Sequence, residues 1–314
     1  MSSPMSTAEL ADRTARAVDA AVAAGREQGL TVTDPAVLHD VFSVVVHLAP
    51  APVVVRVPTV VTLPVHEQYL RQRIELDVVS WLATRQIPVI PPSPLVSAEP
   101  VRRDGFSMTF WQYVDQDPDG EPDYVRNSAR VADLHLALRD YPGDLPFLAA
   151  AEPHTITSSL TVLAERPDLL APADLDRVRR EWALLEPLVS SRTAFDAEFP
   201  GITSQPIHGD APAVNIVTTR TGHLYADFEL TCLGPIEWDL AAMGPEGAAA
   251  YDAAASANGT RPLDPRVAQF ADAVGMVRAI TCLTLVDQQP ILADALAPAL
   301  DAWRKQPFTS GLFD

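Results

Sequence analysis

Apolar positions along the chain change period several times, and each change predicts an element. Leu10, Val18 and Val22 fall at helical spacing among charged neighbours, which predicts an amphipathic helix over 7–29. From 41 to 61 β-branched runs take over. Val44-Val45-Val46-His47-Leu48 and Val53-Val54-Val55-Arg56-Val57 flank Ala49-Pro50-Ala51-Pro52, which predicts an antiparallel hairpin. Helical spacing returns over 66–84, with Leu70, Ile74, Val78, Trp81 and Leu82 on one face. The proline-rich run from Ile87 to Pro94 cannot be helix interior. Residues 106–114 read as a strand, and Asp115 to Asp123 as an acidic linker or hinge. Helical patterns then cover 126–139, 173–190, 264–287 and 290–304. The order predicts an α+β fold, with a small β-rich part, a hinge and a mostly helical part.

Charge narrows the partners. Among 314 residues, 23 Lys+Arg stand against 41 Asp+Glu, a net −18, so nucleic acid is a poor partner and a neutral or cationic small molecule a better one. Lys305 is the single lysine; every other basic side chain is arginine. Cys232 and Cys282 are too few for a disulfide framework or zinc site and read as reduced thiols. No run of about 18 apolar residues predicts a membrane span. Glu9, Asp12, Arg13 and Arg16 interrupt what a signal peptide would need. The expectation is a cytoplasmic protein.

The chemistry concentrates between Ile207 and Glu229. His208-Gly209-Asp210-Ala211-Pro212-Ala213-Val214-Asn215 has the skeleton His-x-Asp-x-x-x-x-Asn, and Asp227 follows a tight turn at Thr221-Gly222. Phosphoryl transfer asks for these types. One carboxylate must orient the attacking hydroxyl and accept its proton, while a second carboxylate and an amide oxygen hold magnesium against the phosphates. A loop running into a strand can aim Asp210 and Asn215 at one point, and a second strand, paired with 214–218, is expected to carry Asp227. Glu229 is either a further metal or substrate contact or a solvated residue, and both stay open.

This stretch resembles the aminoglycoside phosphotransferase superfamily, protein-kinase relatives that include choline and homoserine kinases. Gly234-Pro235-Ile236-Glu237-Trp238-Asp239-Leu240-Ala241 looks like the helix start after that family's metal-binding strand. Leu134-His135 resembles the pair before its catalytic loop, and Phe110 to Val114 falls where its hinge does. The resemblance is specific at 207–241. It implies a protein-kinase-like, two-lobed α+β fold, with a nucleotide-binding lobe over 1–113 and a catalytic and substrate lobe over 114–314. It implies ATP or GTP as donor with Mg2+, and a hydroxyl-bearing small molecule such as an aminoglycoside, sugar or aminoalcohol as acceptor. Asp210 becomes the catalytic carboxylate, Asn215 and Asp227 magnesium ligands, and His208 a brace for the loop. Asp239 is expected to hold that loop by hydrogen bonds.

Two departures stand out. No lysine is available where the family contacts the phosphates; Arg56 occupies the place, with Glu75 as its expected partner. No glycine lies between Gly29 and Gly105, so no glycine-rich loop can form; the stretch from His39 to Ser43, with the Ser43 hydroxyl, is the substitute. Trp111 is the expected stacking partner of the base. The acceptor site is expected among the C-terminal helices, with Glu246, Asp252, Asp272, Asp287 and Asp294 as candidate partners of a cationic substrate, or as a solvated face. The missing lysine and glycines motivate an alternative, a degenerate kinase-like nucleotide-binding or scaffold protein without turnover. A metal-dependent hydrolase using Asp210, Asp227 and His208 is the other rival.

Overall fold

In the computed structural model, which describes residues 5–61 and 63–313, side-chain alternation decides how the N-terminal part is layered. Helix α1 (Thr7–Glu27) opens on a capping box in which Ser6 and Glu9 satisfy each other's backbone N–H. Strands β1 (Val32–Asp40), β2 (Ser43–Pro50), β3 (Val53–Pro58), β4 (Val101–Arg103) and β5 (Phe106–Gln112) pair antiparallel in the order β1-β2-β3-β5-β4. Val44, Val46 and Leu48 of β2 and Val53, Val55 and Val57 of β3 share one face. They are buried against Ala17, Ala20, Ala21 and Ala24 of α1. The small alanines let the helix approach the sheet closely.

The same alternation sends Arg56 to the opposite face, in register with Val45 on β2 and Thr109 on β5. Helix α2 (Val65–Thr84) packs on β5, with Gln72 bonded to the backbone and side chain of Ser107. Two expectations change here. The His39–Ser43 stretch is not an open loop: β1 runs through Asp40, and Val41-Phe42 connect it to β2. Ser43 is buried at the start of β2. Trp111 is 8% exposed within β5, and its indole N–H donates to Thr109 Oγ1. That burial makes it a core residue rather than a platform for a base.

These elements belong to one of two compact units, made of Met1–Gly120, Val217–Glu229 and Asp287–Pro290. The second segment brings the hairpin of β7 (Ile216–Thr219) and β8 (Gly222–Tyr225), less its first residue. It is tied down where Tyr225 N–H donates to Pro88 O, Ile90 N–H to Tyr225 O, and Asp117 N–H to Thr218 O.

The other unit holds Glu121–Ile216, Leu230–Val286 and Ile291–Asp314. Its helices are α3 (Tyr124–Leu138), α4 (Pro153–Ala164), α5 (Pro172–Ser190), α6 (Arg192–Glu198), α7 (Gly244–Ala257), α8 (Pro265–Thr281) and α9 (Ile291–Lys305). Asp123, Ser191 and Asp264 cap α3, α6 and α8 by accepting backbone N–H groups. The core joins Leu160, Trp182, Leu185, Phe195, Phe270 and Val274, with Phe195 and Phe270 in edge contact. Residues 265–285 are long and apolar enough to cross a membrane, yet half buried here, and Val267, Phe270, Val274 and Val277 are part of this core. A second cluster packs Val131 and Ala132 of α3 against Tyr251 and Ala255 of α7. Strands β6 (Gln205–Ile207) and β9 (Cys232–Gly234) pair antiparallel, and the loop after β6 carries the motif residues.

Candidate active site

The loop after β6 is fixed from below by one carboxylate. Asp239, fully buried, accepts the backbone N–H of His208 at 2.8 Å and of Gly209 at 2.7 Å. Its Oδ2 also lies 2.9 Å from His135 Nε2, and His135 Nδ1 lies 2.9 Å from the Tyr251 hydroxyl. A buried carboxylate needs such partners, because an unpaired one is costly. The helix start expected around Asp239 is the short 3-10 helix Ile236–Leu240, and α7 begins at Gly244. Before Asp239, Glu237 accepts both Arg261 Nη1 and Nη2 and the Asp264 N–H.

The loop itself leaves little freedom. Gly209 has φ +90, and a Cβ there would come within 2.0 Å of Leu230 O, so only glycine fits. Trp238 Nε1 donates to Gly209 O at 3.0 Å. His208, also fully buried, accepts the Asp210 N–H on Nδ1 at 3.3 Å. Asn215 Nδ2 donates to Asp210 O at 2.7 Å, and Asn127 Nδ2 donates to Ala213 O. The structure thus brings His208, Asp210 and Asn215 together in one bonded loop. Nothing in the sequence marks Tyr251 and Asn127 for these roles; both are ordinary helix positions until the fold places them.

Asp210 lines a cavity of about 610 Å³ within the helical unit. Its polar lining is Asp210, Gln269, Asp272, Arg278, Gln306 and Ser310, and the remainder is glycine, alanine, proline, Met276 and Trp238. Of the five carboxylates expected to gather for a cationic acceptor, only Asp272 lines it. Asp252 accepts the Leu263 N–H instead, Glu246 and Asp294 lie in the first turns of α7 and α9, and Asp287 belongs to the sheet-containing unit. Cys282 neighbours the cavity: burial raises its pKa, with Arg278 opposing and Glu152 and Asp210 reinforcing the rise.

The sheet-containing unit carries a second charged cluster. Arg56 Nη2 is 2.6 Å from Glu229 and 2.9 Å from Asp227, and Nη1 is 3.6 Å from Glu75. Arg56 and Glu75 therefore meet as expected, and Glu229 proves to be a partner of Arg56 rather than a solvated residue. Asp227 is not on the strand but just past the end of β8, with φ +67. Burial opposes the Arg56 charge, but Glu229, Asp227 and Glu75 outweigh it and hold the guanidinium protonated. Burial also drives the Glu75 carboxyl up to about 8; Arg56 counters this, and Asp227 and Glu229 add to it. Two carboxylates thus pair closely with the guanidinium, and burial holds the third above the ordinary carboxylate range.

Known proteins share this fold. The phosphotransferase enzyme family (APH) matches residues 51–270. No curated protein matches the chain. Among solved structures, the amicoumacin kinase hAmiN in complex with AMP-PNP, Ca2+ and Ami is similar at TM-score 0.62 and 14% identity, over 96% of this chain and 98% of that one. A choline/ethanolamine kinase family protein from Mesorhizobium loti is similar at TM-score 0.59 and 18% identity, over 95% and 97%. The GDP complex of wild-type aminoglycoside 2'-phosphotransferase-IIIa is similar at TM-score 0.57 and 13% identity, over 90% and 96%. At such identities the likeness shows the fold, a protein-kinase-like α+β arrangement of a small β-rich lobe and a larger helical one. With a braced His208–Asn215 loop and a family match over more than half of its length, the chain belongs to the phosphotransferase enzyme family.

Proposed function

We propose that this protein transfers the γ-phosphoryl group of ATP or GTP to a hydroxyl of a small molecule. The observation that carries the proposal is the loop after β6. Its backbone is held by Asp239, Trp238 and Asn215, while the Asp210 side chain faces a cavity of small-molecule size. Asp210 orients the acceptor hydroxyl and takes its proton as that oxygen attacks the γ-phosphorus. The new O–P bond forms as the bond to the β–γ bridging oxygen breaks, and the nucleoside diphosphate leaves with that electron pair. His208 holds the loop by accepting the Asp210 N–H. Arg56, steadied by Glu75, is the residue proposed to meet the nucleotide phosphates.

Magnesium takes oxygen ligands, and the donor chemistry of Asn215 and Asp227 fits it. Asn215 uses its Nδ2 on Asp210 O, so its Oδ1 is the atom that would bind the cation, and Asp227 offers a carboxylate. A magnesium ion held by such donors would supply charge neutralisation at the phosphates.

One contact favours the alternative of a kinase-like protein without turnover: Arg56 already engages Asp227 at 2.9 Å. Calorimetry with ATP and GTP, with and without magnesium, on the wild type and Asp227→Ala separates the two, followed by a phosphoryl-transfer assay. Magnesium-dependent binding that the variant loses, with transfer to an alcohol, supports the kinase. Nucleotide binding that ignores magnesium and Asp227, without transfer, supports the alternative.

A further inference from the structure

Two carboxylates, Asp210 and Asp272, and one guanidinium, Arg278, are the charges that line the cavity beside Asp210. Asp210 is reserved for the reacting hydroxyl in the function proposed above. Asp272, the other carboxylate lining the cavity, is exposed, and its Oδ1 already accepts the Ala242 N–H at 2.8 Å. The cation on the wall, Arg278, is half-buried and stands 4.0 Å from Glu152, beyond hydrogen-bond distance, so its N–H groups can serve an oxygen acceptor as well. Trp238, Met276, Ala279, Ala299 and Pro307 give the remaining wall an apolar character, while Gln269 and Gln306 add neutral amides where the lining is exposed.

An acceptor with several ammonium groups needs several carboxylates, since each desolvated and unpaired charge is expensive. Such an acceptor would also meet the Arg278 guanidinium. A ligand with an apolar body suits these walls, and a pocket of this size takes a compact organic molecule. We infer that the acceptor is an alcohol that carries no ammonium group, with an apolar body and an oxygen acceptor for Arg278, and not a polycationic amino sugar. The inference rests on the phosphotransferase function proposed above and narrows its substrate class.

An isosteric pair tests it, para-(hydroxymethyl)benzamide and para-(hydroxymethyl)benzylamine, with kanamycin as the polycation. Calorimetric titration of the full chain is run without nucleotide. A failure of nucleotide binding, which would count against the phosphotransferase itself, therefore stays distinguishable from a failure of this ranking. The neutral amide is expected to bind about tenfold more tightly than the benzylamine, with no binding of kanamycin. Arg278→Met is expected to weaken the amide about tenfold and to shrink its advantage over the benzylamine. The wild-type ranking stands alone if that variant does not fold. Equal or tighter binding of kanamycin or the benzylamine overturns the inference, and so does an absence of amide binding.

Discussion

Asp239 and His208 are joined through the backbone: the carboxylate accepts the His208 N–H at 2.8 Å and, through its other oxygen, the Gly209 N–H at 2.7 Å. The loop that carries Asp210 is therefore held by a residue 29 positions later in the chain, which in turn touches His135 on α3. Replacing Asp239 by Ala leaves two buried N–H groups and His135 without their partner. The expected loss is about 3–5 kcal/mol of unfolding free energy, read from urea midpoints. A loss below about 1 kcal/mol would show that the brace is dispensable.

Gly209→Ala meets two obstacles at once. The backbone is left-handed at φ +90, and the added methyl carbon would stand 2.0 Å from Leu230 O. The substitution is expected to lower Tm by several degrees and to cut phosphoryl transfer even where the protein still folds. Gly201→Ala, also at positive φ but with open space around it, is the control and should cost only about 1 kcal/mol.

Asp210→Asn keeps the shape of the side chain and removes its capacity to take a proton. Transfer rates should fall about 100- to 10,000-fold, with Tm and nucleotide affinity nearly unchanged. A variant that retains most of its rate would remove Asp210 from the proposed proton transfer.

The Glu75 carboxyl, raised to about 8 by burial, makes stability depend on pH. Between the ordinary carboxylate range and about pH 8 the folded state holds a proton that the unfolded state has released. Stability is thus highest on the acid side and falls as pH rises through this window. Glu75→Gln cannot titrate, so its urea midpoint should fall less than that of the wild type between pH 5 and pH 8. Parallel curves for the two proteins would show that Glu75 stays ionised in the fold.

Much of the site was legible because chemistry fixes both residue type and spacing there. Asp210 and Asn215 could be paired from the five-residue step alone, and the Glu237-Trp238-Asp239 run pointed to the brace. Glu75 was legible as the Arg56 partner because one lies on a strand and the other beside the apolar face of α2. Strand β1 was not legible. Its sequence, Val32 to Asp40, holds Pro35 and little alternation, and most of the strand is exposed, as an edge can afford. Trp111 was misjudged because β5 is buried on both faces, so alternation there carries no information. For the carboxylates of the C-terminal helices, substrate partners and a solvated face both stayed open for a related reason. Composition shows that they are present but not which way each helix turns them.

The order in which segments enter the sheet-containing unit has a consequence for synthesis. Arg56 and Glu75 belong to its first segment, but Asp227 and Glu229, which neutralise Arg56, arrive only with Val217–Glu229. While the chain is being made from its N-terminus, the β3 arginine waits through roughly half of translation for its counter-charges. The β1–β5 sheet can collapse early around α1, but its charged face matures late. A ribosome-bound chain ending near residue 120 should therefore be more readily cleaved by protease than one extending well past Glu229, because only the longer one can close that face.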